Sequence, residues 1–225
     1  MALQFVRGDA NKAKSLLLTR LASELKTKQR VLWIVPGGSN IALVAEIMKE
    51  ISEDDSVHLA VMLSDERFGP VGHPDSNIKQ LSDAGFEPKQ ATVLPILRAG
   101  VSLVDTTDLY GDAAQAAFEA ADTVIAHLGM GADGHIAGIL PGTVATHPSS
   151  AWTIAYKTPE FTRITLSPFA LRHVSEAFVV AFGDSKHEAL QNLHDKSLPL
   201  TEQPAQLLKE LPAVTIINDQ IGSTL

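Results

Sequence analysis

The residues of this 225-residue sequence best suited to moving a proton are Asp133 and His135, two positions apart in Gly129-Met-Gly-Ala-Asp-Gly-His135. An imidazole titrates close to neutral pH, so it can take up and return protons, and a carboxylate beside it can fix its tautomer. The same stretch satisfies the Gly-x-Gly-x-x-Gly spacing of a dinucleotide-binding turn through Gly129, Gly131 and Gly134. That fingerprint also needs a helix running on from the third glycine and an acidic residue about 20 positions later for a ribose hydroxyl. Here Gly138, Pro141 and Gly142 interrupt the following segment, and the window from Trp152 to Tyr156 holds no acid. The dinucleotide reading is set aside. What remains is a glycine-rich turn presenting a carboxylate and an imidazole; the bland alternative is a tight turn with incidental polar residues.

Two further loops carry candidate chemistry. Pro36-Gly-Gly-Ser-Asn40 joins an apolar run to a helical pattern. Glycines let backbone N–H groups approach an anion, and a helix N-terminus favours negative charge, so Gly37, Gly38 and Ser39 form either an anion cradle or an ordinary strand-to-helix turn. The Gly-Lys-Ser/Thr of a nucleoside triphosphate loop is missing. The third loop, Ser64 to Asn77, begins with Asp65-Glu66-Arg67 directly after an apolar run and continues through Pro70, Gly72 and Pro74. Charged triplets of this kind are commonly solvated ion pairs, whereas long irregular loops inside a compact domain are often functional. His73 in this loop reads as structural.

These loops need a frame. Apolar runs at Val31–Val35, Val57–Leu63, Thr92–Ile96 and Thr123–Leu128 read as strands. So do Trp152–Tyr156, Arg163–Leu166, Ala177–Phe182 and Val214–Ile217. Helical patterns alternate with them at residues 10–28, from Ser39 onward with Ser39 or Asn40 as cap, at Ser76–Ala84 with Asp75 or Ser76 as cap, and at Thr107–Ala120. Others fall at Pro168–His173, Lys186–Leu193 and Gln203–Leu211. Strands alternating with helices predict an α/β, Rossmann-like fold: one domain over residues 1–225 around a mostly parallel sheet with helices on both faces. Ligands bind such sheets beyond the carboxyl ends of the strands, which is where all three loops fall.

Bulk properties narrow the partners. A net charge of -8 disfavours nucleic acid, whose phosphates need clustered Lys and Arg. No cysteine is present, so disulfides, thiolate metal sites and a thiol nucleophile are ruled out. The first residues lack the apolar core of a signal peptide, and no apolar run approaches the roughly 20 residues of a spanning helix. A soluble, cytoplasmic protein with no membrane partner is expected. No apolar stripe separates from the core pattern as an assembly surface.

Taken in order, Pro36-Gly-Gly-Ser-Asn40, then Asp65-Glu-Arg67 with His73-Pro-Asp-Ser-Asn77, then Gly129 to Gly142 resemble the 6-phosphogluconolactonase family, which is related to the glucosamine-6-phosphate deaminases/isomerases. The likeness extends through Arg163-Ile-Thr-Leu166 and Gly183-Asp-Ser-Lys186, covering residues 31–218. It implies a phosphorylated sugar lactone as substrate, with Gly37, Gly38 and Ser39 on the phosphate and Arg163 and Lys186 assisting. His135 matches the family's proposed general base, with Asp133 beside it and Arg67 lining the site. The implied reaction is hydrolysis of 6-phosphogluconolactone to 6-phosphogluconate without metal or organic cofactor. The deaminase cousins carry Tyr where this chain has Arg67 and Glu where it has Leu140; in a deaminase, Asp65 would abstract a proton next to the carbonyl. Ile136 and Gly138 replace the Thr and Ser usual in lactonases, Ile136 being the deaminase-like choice, and Pro36 stands where lactonases usually carry Ser. A binding protein that keeps the anion cradle without turnover is the alternative from outside enzymology.

Overall fold

The computed structural model describes residues 3–223. Among the described residues ten strands lie in chain order: β1 (Gln4–Arg7), β2 (Val31–Val35), β3 (Leu59–Leu63), β4 (Asp65–Arg67), β5 (Thr92–Leu94), β6 (Thr123–Gly129), β7 (Thr153–Lys157), β8 (Thr162–Leu166), β9 (Glu176–Ala181) and β10 (Val214–Asn218). Between them run helices α1 (Ala10–Leu25), α2 (Ile41–Glu50), α3 (Glu53–Ser56), α4 (Asn77–Asp83), α5 (Leu103–Ala120), α6 (Pro168–Leu171) and α7 (His187–Asp195). Seven strands form one sheet in the order β1-β10-β9-β6-β2-β3-β5, with every pairing parallel.

All five residues of β2 are buried, as a central strand covered on both faces requires. Its register runs from Val31 opposite Leu59 to Val35 opposite Leu63. Helix starts follow local hydrogen-bond chemistry: Asp9 accepts from the Lys12 N–H, and Ser52, Ser76, Ser102 and Ser167 each accept a backbone N–H of the first turn that they precede. Among the described residues no helix is long and apolar enough to cross a membrane.

The expected mostly parallel α/β sheet is present, and four local expectations are corrected. Arg163–Leu166 and Trp152–Tyr156 are strands, but β7 and β8 leave the main sheet and join β4 in a separate antiparallel one. Asp65-Glu66-Arg67, read as the start of a loop, is the edge strand β4 of that sheet. Residues 204–210 form 3₁₀ turns rather than an α-helix, beginning at Pro204. Neither Ser39 nor Asn40 caps α2 through its side chain, because residues 38–40 wind into a 3₁₀ turn first and the Asn40 amide donates instead to the Val180 carbonyl (3.2 Å).

The strand order explains where a ligand can sit. From β2 the chain moves outward to β3 and β5, then returns to lay β6 on the other side of β2. The loops leaving the carboxyl ends of β2 and β6 therefore diverge and open a crevice at the switch point of the sheet. The small antiparallel sheet walls that crevice.

Candidate active site

A cleft of about 210 Å³ lies at this switch point, and residues from every loop singled out in the sequence line it: Gly37, Gly38 and Ser39 after β2, Asp65 and Arg67 on β4, His135 after β6, Arg163 on β8 and Lys186 before α7. Asp133 stands behind His135 rather than in the wall. Among the described residues, no three His, Asp or Glu side chains are grouped so as to hold a metal ion.

The β6 loop is built around one hydrogen-bonded pair. The Asp133 carboxylate accepts from His135 Nδ1 at 2.7 Å and from the His135 backbone N–H at 3.1 Å. The imidazole hydrogen bond is the main cause holding the Asp133 carboxyl down at about 2, against the partial burial that opposes it. At neutral pH Asp133 is ionised and can only accept, so Nδ1 carries the ring proton and Nε2 is left as the basic nitrogen. Gly131 is required by close approach: a Cβ there would lie 2.1 Å from His135 Nδ1 and 2.4 Å from Asp133 Oδ1. Gly134 adopts φ +77°, where L side chains are disfavoured. His135 keeps 35% of its side chain exposed, enough to meet a ligand from the cleft.

The β2 loop supplies backbone donors. The first N–H groups of a helix have no intrahelical acceptor, and the 3₁₀ turn at residues 38–40 leading into α2 aims that end of the helix at the cleft. The two glycines serve different ends. At Gly37 (φ -90°) a Cβ would fall 2.2 Å from Asn77 Oδ1, so the position is sterically closed. At Gly38 (φ +65°) nothing lies within 4 Å, so the requirement is conformational.

On β4 the acids differ in task. Glu66 is fully buried and accepts four hydrogen bonds, from the N–H groups of Arg67 (2.7 Å), Asn77 (2.6 Å) and Ile78 (3.1 Å) and the hydroxyl of Ser76 (3.0 Å). Burial raises its pKa while these donors hold it down. It anchors the start of α4, and Asn77 in turn reaches the Asp65 carbonyl (2.9 Å) from the cleft wall. Asp65, 5% exposed, pairs with Arg163 at 3.4 Å. Burial raises its pKa, opposed by the positive charges of Arg163 and Arg67 and by His135.

Arg67 and Arg163 are direct cross-strand partners. Their guanidinium carbons lie 5.0 and 5.5 Å from the centroid of one ring, that of Phe161. Arg67 also donates to the Asp75 carbonyl (2.9 Å). His73, from the same loop, makes a 2.9 Å contact from ring Nε2 to the Arg67 carbonyl and braces the strand end.

Sequence reasoning passed over Glu66 as the hub of α4, Asn77 and Asn40 as parts of the wall, and Phe161 beneath the two guanidinium groups. Asn77 and Asn40 had a signal, since one closes the loop that starts at Asp65 and the other closes Pro36-Gly-Gly-Ser-Asn40; Phe161 had none.

Comparison with known proteins bears on the family and the fold. The sequence model of the family described as glucosamine-6-phosphate isomerases/6-phosphogluconolactonase matches residues 9–217. The chain is similar to a 6-phosphogluconolactonase of Helicobacter pylori (strain ATCC 700392 / 26695), 29% identical over 160 residues that cover 69% of each chain. It is also similar to a glucosamine-6-phosphate deaminase of Exiguobacterium sp. (strain ATCC BAA-1283 / AT1b), 26% identical over 230 residues covering 93% of this chain and 86% of that one. Its fold matches the crystal structure of a 6-phosphogluconolactonase from Shewanella baltica OS155 with a TM-score of 0.81 at 20% identity, covering 96% of this chain and 97% of that one. The chain belongs to the family of glucosamine-6-phosphate isomerases and 6-phosphogluconolactonases.

Proposed function

We propose that the protein hydrolyses 6-phosphogluconolactone to 6-phosphogluconate, with His135 as general base. The observation that carries this reading is the 2.7 Å Asp133–His135 pair, whose imidazole lines a cleft shared with Arg67, Arg163, Lys186 and the turn at Gly37–Ser39. Nε2 of His135 takes a proton from water as the water oxygen bonds to the lactone carbonyl carbon. Arg67 or backbone N–H groups hold the resulting oxyanion. The bond from that carbon to the ring oxygen then breaks, and the imidazolium returns its proton to the departing oxygen. Gly37, Gly38 and Ser39 hold the phosphate, assisted by Lys186 and Arg163.

Leu140 supports the lactonase over the deaminase reading. A ring-opening histidine would want a carboxylate at this position, and Leu140 instead packs against the hydrophobic core. The lactone also opens unaided in water, so the test subtracts the spontaneous rate. Wild type should exceed that background, and His135→Asn should fold normally yet lose at least about 100-fold in kcat, the scale for removing a general base. Lactone loss at the background rate would overturn the reading. Ammonia release from glucosamine 6-phosphate would move the protein to the deaminase side, with Asp65 as base. Binding of 6-phosphogluconate without turnover of either compound would make it a sugar-phosphate-binding protein.

A further inference from the structure

Two like charges face each other across the β4–β8 ladder. Arg67 and Arg163 are opposite one another in register, the arrangement that destabilises a sheet when both partners bear the same sign. Asp65 offsets part of this through its 3.4 Å contact with Arg163. The Nε atoms of both arginines are buried without a hydrogen-bond partner among the described residues.

What the two guanidinium groups share is Phe161. It stands two residues before Arg163, so strand alternation brings both side chains to one face, with Arg67 diagonal to the ring. The backbone under the ring is fixed by the β7–β8 turn: Thr158 N–H donates to the Phe161 carbonyl at 2.7 Å, and Phe161 N–H donates to Thr158 Oγ1 at 3.0 Å. An aromatic face attracts a cation through its quadrupole, and more strongly when water is thinned out around it. An aliphatic side chain of the same bulk fills the space without that attraction.

We propose that Phe161 is a positioning residue whose ring face holds Arg67 and Arg163 side by side, ready for the anionic groups of the ligand. The ring, rather than its volume, is the operative property. A doubly charged phosphate compound relieves the repulsion that the ring and Asp65 only partly offset, so affinity for such ligands depends on the arginines being held before binding. The inference rests on the proposed sugar-phosphate site, but its test reads binding as well as turnover.

Phe161→Leu and Phe161→Tyr are compared with wild type by calorimetric titration with 6-phosphogluconate and by lactone kinetics, with thermal melting as the check on folding. Losing two partly desolvated cation–π contacts corresponds to roughly tenfold. The Leu variant should bind 6-phosphogluconate and process lactone about tenfold less well, and the Tyr variant should stay within about twofold of wild type. Should the Leu variant not fold, Phe161→Met supplies the same loss of the ring. A Leu variant equal to wild type, or a Tyr variant as impaired as Leu, overturns the proposal. If wild type binds 6-phosphogluconate with this pattern but does not turn over lactone, the reaction falls and the role of Phe161 stands. Turnover without the pattern removes Phe161 alone.

Discussion

Acidifying the protein should place a free-energy penalty on one side chain, His127. It lies within β6, opposite Phe178 of β9, fully buried and with both ring nitrogens unpartnered among the described residues. Burial alone pulls its pKa from the ordinary 6.5 to about 3, because nothing nearby stabilises the charged ring. The folded-state value is depressed, so the unfolded chain binds a proton that the folded chain refuses between these two values. Stability from this group is therefore complete above pH 6.5 and drains away as pH falls towards about 3. At about pH 5 the unfolded state has gained about 1.5 units of protonation free energy, or about 2 kcal/mol at 1.36 kcal/mol per unit. The comparison is His127→Leu, which cannot titrate. Urea unfolding at about pH 7.5 should find the variant at least as stable as wild type, since two unsatisfied nitrogens are gone. At about pH 5 the difference should have moved a further 2 kcal/mol or so in favour of the variant. Parallel stability curves across this range would show that the ring does not behave as an isolated buried imidazole.

Lys186→Ala should raise KM with little change in kcat, because a phosphate remote from the reacting carbon is held alike in ground and transition states; a kcat loss at constant KM would place Lys186 at the chemistry. Arg163→Ala should raise KM too and also cost about 1–3 kcal/mol in denaturant unfolding, because buried Asp65 loses its 3.4 Å partner and keeps only Arg67 and His135 nearby. Gly37→Ala drives a methyl into Asn77 and should cost about 1–3 kcal/mol. Gly38→Asn, with open space and a left-handed φ, should cost less than Gly37→Ala in the same assay. Glu66→Gln turns an amide NH2 donor towards donors and should cost about 1–3 kcal/mol, seen as a lower melting temperature with His135 chemistry intact.

The central strands were legible because burial on both faces leaves a plain trace: Val31–Val35 is a strand with the bounds that its apolar run predicts. The edges were not. β1 has four residues, of which only Phe5 and Val6 are buried, and β4 is three charged residues whose strand character comes entirely from pairing with β8, about a hundred positions away. Local pattern carries no record of such a partner. The same holds within the site. The Asp133–His135 pair could be read because its members are two positions apart in sequence, and Gly37 and Gly38 as a turn into a helix because a glycine pair follows an apolar run. Glu66 looked like one charge in a triplet, and only the fold shows its carboxylate buried under four donors. Phe161 carries no local pattern of its own, and only the ladder that sets Arg67 opposite Arg163 brings both guanidinium groups to its ring.

The pairing of β1 with β10 has a consequence for how the protein is made. Residues 4–7 have their sheet partner at residues 215–218, about two hundred positions later in synthesis, and Arg7 N–H also donates to the Ser223 carbonyl at 2.8 Å. At a synthesis rate of about 5–20 residues per second, β1 waits roughly ten to forty seconds for its neighbour. During that interval Phe5 and Val6 lack the strand that pairs with them, and once β9 is made its edge stands open as a template for another chain until β10 covers it. The charged and polar ends of β1, Gln4 and Arg7, flank these two apolar residues and limit the hazard. The β1 edge of the seven-stranded sheet thus closes late, by pairing two segments made about two hundred residues apart.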